Sequence, residues 1–136
     1  MSKHYQQVVT FNHEVLGIEP RTLGVMSDDE IDHLGKAIIE ELNELHAAHD
    51  DSDIVGCVDA LIDLLYFAKG GLYKLGVTDD KFSRIFTAVH EANMSKRLGI
   101  VEKRGNGVVP DAIKPKGWVP PEDRIRDILI DCEAQH

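Results

Sequence analysis

The sequence predicts an all-α protein built on a four-helix core. Apolar residues recur at intervals of three or four along most of the chain before Leu98, whereas the alternation that is typical of strands is almost absent. Helix start and stop signals separate the periodic segments: a serine followed three residues later by glutamate, and glycines directly after apolar runs. These observations indicate helices that pack against one another.

The first helix is predicted over about residues 4–16, because Gly17 and then Pro20 end it. A proline-containing loop leads to the second helix. There the Ser27 hydroxyl and the Glu30 carboxylate are expected to satisfy each other's backbone amides in a capping box.

The second helix is expected to run to about Ala48, and a polar turn then leads to a third helix over about residues 54–75, ended by Gly76. Spacing predicts a buried stripe on the second helix, made of Ile31, Leu34, Ile38, Leu42 and Leu45. The third helix is apolar almost all the way round. Between Ile54 and Ala68 its only interruptions are Gly56, Asp59 and Asp63.

A fourth helix is expected to begin at Thr78 and to reach Lys96. Its predicted stripe comprises Phe82, Ile85, Phe86 and Val89. Residues 99–121 carry glycines and prolines without periodicity, which favours a long loop or a small hairpin. A short helix over 122–131 is the expected end of the fold.

Composition favours one globular domain over residues 1–136, with a core at about 4–98 and a tail at 99–136. The 136-residue chain is 43% hydrophobic and 29% charged. Its formal net charge of -9 argues against duplex nucleic acid or an anionic membrane as the main partner. Small phosphorylated ligands remain compatible with this charge, because a divalent ion can bridge acidic side chains and phosphate oxygens.

The compartment predicted from the sequence is the cytoplasm. Residues 1–10 lack the apolar segment of a signal peptide, and the acids of the third helix interrupt its apolar run too soon for it to span a bilayer. Cys57 and Cys132 have no metal-ligand spacing and are expected to stay reduced.

Two acids within an apolar helix require a cationic partner, because an unpaired buried carboxylate is unfavourable. The second helix supplies Glu40, Glu41 and Glu44 on one face, so these acids could converge with Asp59 and Asp63. Oxygen-only ligands favour Mg²⁺, with Mn²⁺ as an alternative. A solvated face would equally explain the glutamates, and a basic residue across an oligomer interface would satisfy the aspartates.

A wider pattern joins these acids. Glu-Glu-x-x-Glu is followed by an aspartate on the next helix, by Leu64-Leu65-Tyr66, and by the segment from His90 to Lys96. With this pattern the chain resembles the MazG-like all-α nucleoside triphosphate pyrophosphohydrolases, and within them the phosphoribosyl-ATP-pyrophosphohydrolase-like branch. The likeness extends from Phe11 to Pro121.

The resemblance implies cleavage of a nucleoside triphosphate between its α and β phosphates, which releases a monophosphate and pyrophosphate. It places Glu41, Glu44 and Asp59 on the metal ligands. Glu40 then either binds a metal ion or orients the attacking water, and Asp63 is a further acid of the site. Oligomers are also implied, as a homodimer or homotetramer, which would cover the apolar third helix.

On the substrate side, the resemblance places Asn93 and Lys96 at positions that contact phosphate, although Lys96 could instead cap its helix. Trp118 either stacks on a base or anchors the tail. Lys114 and Lys116 flank it, in a loop that is either solvated or closes over a triphosphate.

One position departs from the family pattern, because Gly56 stands where a second-motif glutamate is usual. Three hypotheses remain open. They are a Mg²⁺-dependent (deoxy)nucleoside triphosphate pyrophosphohydrolase active in nucleotide-pool housekeeping, a phosphoribosyl-ATP pyrophosphohydrolase, and a non-catalytic nucleotide- or metal-binding module.

Overall fold

The computed structural model describes residues 3–100 and 110–131, and it confirms the all-α class. Contacts divide the chain into two compact units, one within residues 2–79 and the other within residues 80–136. The single domain over 1–136 stays a prediction. Cys132 and the middle of the predicted loop, residues 101–109, lie outside the described residues.

Within residues 3–79 the chain begins with helix α1, Lys3–Thr10, which widens into a π-helical turn at Phe11–Val15. The amide of Leu16 accordingly bonds to the carbonyl of Phe11, five residues back. Asn12 in this turn is buried, and its Nδ2 donates to the Val8 carbonyl at 2.9 Å. The predicted first helix therefore exists, but its second half has a wider turn than expected.

Helix α2, Asp28–Asp50, starts with the predicted capping box. The Ser27 hydroxyl accepts from the Glu30 amide, and the Glu30 carboxylate accepts from the Ser27 amide. The Arg21 guanidinium binds the Glu30 carboxylate in a bidentate contact, with Nη1–Oε1 at 2.9 Å and Nη2–Oε2 at 2.6 Å. The Arg21 hydrogen bonds, followed by the Ser27 amide, lower the pKa of Glu30 from 4.5 to about 2. The loop before α2 is thus fixed to the helix start.

Helix α3, Ile54–Lys74, packs antiparallel on α2, and glycines sit at two points of close approach. A Cβ at Gly56 would lie 2.9 Å from the Cβ of Ala48, and a Cβ at Gly71 would lie 2.8 Å from Cδ2 of Leu34. The Gly56–Ala48 and Gly71–Leu34 pairs are consistent with one antiparallel register of the two helices. The Cβ of Ala48 cannot rotate away, whereas the end of the Leu34 side chain can, so Gly56 marks the tighter approach of the two helices.

Two tyrosines close the remaining side of this unit with hydrogen bonds to distant backbone. Tyr5 is fully buried, and its hydroxyl donates to the Val77 carbonyl at 2.6 Å. Burial, and then the charge of Asp79, raise the pKa of Tyr5. Tyr73 likewise donates to the Ile18 carbonyl at 2.6 Å. These bonds join α1 and its following loop to the end of α3.

The burial predicted for α2 and α3 is wrong in part. Ile31 and Leu42 of the α2 stripe are 49% and 44% exposed, because α2 packs mainly against α3 and its flanks stay open. The exposed large apolar residues of α3 form the apolar α3 face: Ile54, Val55, Val58, Leu61, Ile62, Leu65 and Tyr66. Within the described residues, no helix is both long and apolar enough to cross a membrane.

The rest of the chain forms helix α4, Asp79–Met94, then strands β1, Arg97–Ile100, and β2, Pro110–Ile113, and finally helix α5, Glu122–Leu129. The strands are antiparallel, with Arg97 opposite Ile113. Of the two alternatives predicted for the tail, the small hairpin is the one observed, and the terminal helix is confirmed. Helix α4 ends at Met94, before the predicted Lys96, and β1 begins at Arg97. Phe86 is 66% exposed, although its spacing predicts that it belongs to the buried stripe of α4. The buried positions of α4 include Ala88 and Lys81, whose ammonium donates to the Leu129 carbonyl.

The Gly56 contact gives a testable consequence. We expect Gly56→Ala to destabilise the fold by about 1 to 3 kcal/mol, because the new Cβ would lie 2.6 Å from Oδ2 of the capping residue Asp53 and 2.9 Å from the Cβ of Ala48. Gly35→Ala is the matched control in α2. A Cβ there meets nothing within 4 Å, so we expect a gain of about 0.5 to 1 kcal/mol from higher helix propensity. Urea unfolding of both variants measures the difference, and equal effects would contradict the close-approach role of Gly56.

Candidate active site

The register of α2 and α3 brings acids of the two helices together. Glu41 lies seven residues before Ala48, and Asp63 lies seven residues after Gly56. Seven residues are close to two helical turns, so the two acids occupy the same face as the Ala48 and Gly56 contact. Glu41 and Asp63 therefore face each other between the helices, and Glu44 lies one turn along α2 from Glu41.

Glu41 is the electrostatic centre of this cluster. Its Oε2 atom is closed off from solvent and has no hydrogen-bond partner within the part of the chain that the structure describes. The pKa of Glu41 rises from 4.5 to about 7. The causes are burial first, then a hydrogen bond with Glu44, and then the negative charges of Glu44, Asp63 and Glu40. Such a carboxylate is stabilised by a cation that replaces the lost hydration.

The donor chemistry fits a hard divalent ion. The cluster offers carboxylate oxygens without histidine or cysteine, and one buried oxygen lacks a partner. Oxygen donors of this kind suit Mg²⁺ or Mn²⁺ and disfavour zinc. Among residues 3–100 and 110–131, no three histidine, cysteine or acidic side chains already stand in a metal-binding arrangement. Side chains of the cluster would therefore have to rotate to surround an ion.

The other predicted acids face outward. Asp59 is exposed and lines an open groove of about 430 Å³ with residues of the apolar α3 face. It is not among the groups whose charge raises the pKa of Glu41, and its predicted burial in the helix is wrong for the single chain. Glu40 and Glu44 line a second open groove of about 450 Å³ along α2, together with Lys36 and Asn43.

The predicted substrate residues lie in the second unit, where Trp118 is the organising side chain. Its indole Nε1 donates to the Ala92 carbonyl in the last turn of α4 at 2.8 Å. The ammonium groups of Lys96 and Lys114 lie 5.0 Å and 5.1 Å from the centre of its ring. Asn93 is exposed on the same end of α4. The hydrogen bond matches the anchoring interpretation of Trp118.

Lys116 lies in the turn that precedes this tryptophan. The Trp118 amide donates to the Pro115 carbonyl at 3.0 Å, and Gly117 has a φ of 80°, which L side chains rarely adopt. Lys116 is exposed at this turn. Both lysines flank Trp118 in the sequence, but only Lys116 was predicted to bind substrate, whereas it is the Lys114 ammonium that lies over the ring. The signal for Lys114 was a turn that reverses the chain between it and Trp118.

The candidate site is thus a helical hairpin whose two helices bring carboxylates together. Residues 18–93, more than half of the chain, match the family model described as phosphoribosyl-ATP pyrophosphohydrolase. The chain belongs to this family, within the MazG-like all-α NTP pyrophosphatase superfamily, and is a pyrophosphohydrolase. A comparison with curated proteins gave no match. The matched segment includes every acid of the candidate site and ends at Asn93, before Lys96 and Trp118.

The charge cluster predicts an unusual titration. In metal-free protein, Glu41 should titrate near pH 7, and Asp63→Asn should lower that pKa by removing a neighbouring negative charge. Because the pKa is raised in the folded state, this carboxyl should reduce stability as the pH rises from 4.5 through 7. Carboxyl carbon NMR measures the titration. Asp59→Asn is the matched control, and an equal shift in both variants would contradict the pairing of Glu41 with Asp63.

Proposed function

We propose that the protein hydrolyses (deoxy)nucleoside triphosphates to the monophosphate and pyrophosphate in a Mg²⁺-dependent reaction, with Mn²⁺ as an alternative metal. The observation that carries the proposal is Glu41, whose buried, unpartnered oxygen lies among the charges of Glu44 and Asp63. Family membership supports pyrophosphate release. A role in nucleotide-pool housekeeping in the cytoplasm is part of the same proposal.

Each acid has a proposed role. Glu41, Glu44 and Asp63 would hold the metal, and Asp59 joins them by its correspondence to a family ligand. A bound divalent ion supplies charge neutralisation at phosphate oxygens and activation of water. Glu40, which lines the groove on α2, is proposed to orient the attacking water and accept its proton.

The remaining roles concern the substrate phosphates. Asn93 and Lys96 are proposed to contact them through an amide and an ammonium group, and Lys116 and Trp118 are further candidates from the tail. A positive group at this position opposes the charge that develops on the leaving pyrophosphate, which is where phosphoryl transfer gains most from electrostatics. No covalent intermediate is needed.

Phosphoribosyl-ATP is the second candidate substrate, because the matching family model carries that activity in its description. Both substrates place a scissile phosphoric anhydride bond next to a ribose-linked phosphate, so the same carboxylates would serve either reaction. A non-catalytic binding module is the remaining hypothesis, and its motivation is that Gly56 stands in place of a glutamate. The three are separated by one assay.

That assay measures turnover of all common ribo- and deoxyribonucleoside triphosphates and of phosphoribosyl-ATP, with pyrophosphate distinguished from orthophosphate. We expect Mg²⁺-dependent release of pyrophosphate and a loss of about 100-fold or more in Asp63→Asn, because a ligand carboxylate is removed. Asp32→Asn, an exposed acid of α2, is the matched control and should stay within about twofold.

Each outcome selects one hypothesis. Turnover of phosphoribosyl-ATP alone would move the assignment to that substrate. Metal-dependent nucleotide binding without turnover of any substrate would favour the binding module. Full activity in both Asp63→Asn and Asp59→Asn would show that the carboxylate cluster is not the active site.

The proposal also includes assembly into a homodimer or homotetramer through the apolar α3 face. Its seven large side chains are each at least 36% exposed in the single chain, and contiguous apolar surface on one helix is unusual for a monomer. A second copy offers the same face, so a twofold axis across α3 would bury both.

Substitution within the apolar α3 face tests the assembly. We expect Val58→Glu to convert the oligomer into a monomer of 15.2 kDa, because it places a charge in an apolar interface. Val25→Glu makes the same change at a loop residue that is 94% exposed and should leave the assembly intact. Size-exclusion chromatography with light scattering gives the mass, and a monomeric native protein at micromolar concentration would contradict the proposal.

A further inference from the structure

Two lysines from different segments meet over one aromatic ring. Lys96 follows the end of α4, and Lys114 follows β2, yet both ammonium groups lie about 5 Å from the centre of the Trp118 ring. They can therefore be at most about 10 Å apart. The negative face of the ring attracts each ammonium, although the two positive charges repel each other.

The ring itself is fixed at both ends. Its Nε1 donates to the Ala92 carbonyl at 2.8 Å, which satisfies a carbonyl in the last turn of α4. Its backbone is fixed by the turn in which Gly117 adopts a φ of 80° and the Trp118 amide bonds to Pro115. The indole ring is therefore held in place from both sides, and the two ammonium groups lie against it.

The surroundings leave this positive charge available for a ligand. Glu91, in the same part of α4, is engaged by Arg124 at 3.3 Å. Lys114 is exposed and Lys96 is half-buried, so both ammonium groups have access to solvent. The chain has a net charge of -9, so two neighbouring lysines form a positive patch on a protein that is negative overall.

We infer that Lys96 and Lys114, positioned by Trp118, form a binding site for the diphosphate group. The inference rests on the proposed function for the identity of the natural ligand, the diphosphate end of a nucleotide. Two ammonium groups with three donors each match the several equivalent oxygens of a diphosphate. Lys114 is thereby the phosphate-contacting lysine of the tail, in place of Lys116, and Trp118 is a positioning residue.

A purely structural role makes a different prediction. Positive side chains beyond the end of a helix interact favourably with its dipole, and this alone would place Lys96 near the end of α4. In that case removal of Lys114 would lower stability without changing affinity for phosphate. Binding must therefore be measured separately from folding.

Trp118 is the single tryptophan of the chain, so its fluorescence reports directly on this site. The full-length protein is titrated with inorganic pyrophosphate in Mg²⁺ buffer and again with a chelator. We expect a saturable fluorescence change that weakens as salt increases, and a Kd about 5- to 10-fold higher in Lys114→Gln. The comparator is Lys3→Gln, which removes the same charge at an exposed position of α1 and should have a clearly smaller effect. Equal effects of the two variants, or the absence of a saturable change in native protein, would overturn the inference.

Two further variants test the role of the indole ring. Trp118→Phe and Trp118→Leu both lose the hydrogen bond to Ala92, but only the first retains an aromatic ring. Calorimetric titration with pyrophosphate should show weaker binding in Trp118→Leu than in Trp118→Phe, after thermal melting has confirmed that both are folded. Equal affinities in folded variants would show that the ring does not position the lysines.

Failure of the inference and failure of the proposed function give different results. Pyrophosphate binding that depends on Lys114, in a protein that turns over no nucleotide, would support this site and reject the proposed reaction. Normal nucleotide turnover with a KM unchanged by Lys114→Gln would support the reaction and reject this site.

Discussion

The contact between Gly56 and Ala48 is the constraint on which the candidate site depends. With no Cβ at Gly56, the start of α3 approaches α2 so closely that a methyl group would not fit. This contact favours an antiparallel register in which Glu41 faces Asp63. A glycine at a family position that usually carries glutamate therefore has a structural role, and Asp63 is the α3 acid that acts on Glu41.

The ionised carboxylate cluster destabilises the metal-free fold, and the same negative charge favours a cationic ligand. Burial and neighbouring negative charges raise the pKa of Glu41, so ionising it in the metal-free protein is unfavourable. A bound divalent cation would offset these contributions, because it would place positive charge beside the Glu41 carboxylate. The same reasoning applies to the apolar α3 face, whose exposure is unfavourable in a single chain and would be relieved by the proposed pairing.

Opposite charges are segregated along the chain. The acids occupy α2 and α3, within the matched segment 18–93, while Lys96 and Lys114 gather over Trp118 beyond it. A pyrophosphohydrolase needs both kinds of charge, since a metal requires anionic ligands and a polyphosphate requires cations. In the proposed reaction the tail after α4 would supply the cations, whose place over the indole depends on the turn at Gly117 and on the indole hydrogen bond.

By itself the sequence determined the helical class, the capping box at Ser27, the terminal helix and the family, because these depend on local spacing and short motifs, while it left open whether the tail forms a long loop or a hairpin. It could not decide which acid faces Glu41, since Asp59 and Asp63 share the same helical periodicity. That choice required the register, which a close contact between residues of two helices sets. Exposure of Phe86 and of the apolar α3 face likewise depended on which neighbours cover each helix, and periodicity within one helix carries no information about its neighbours.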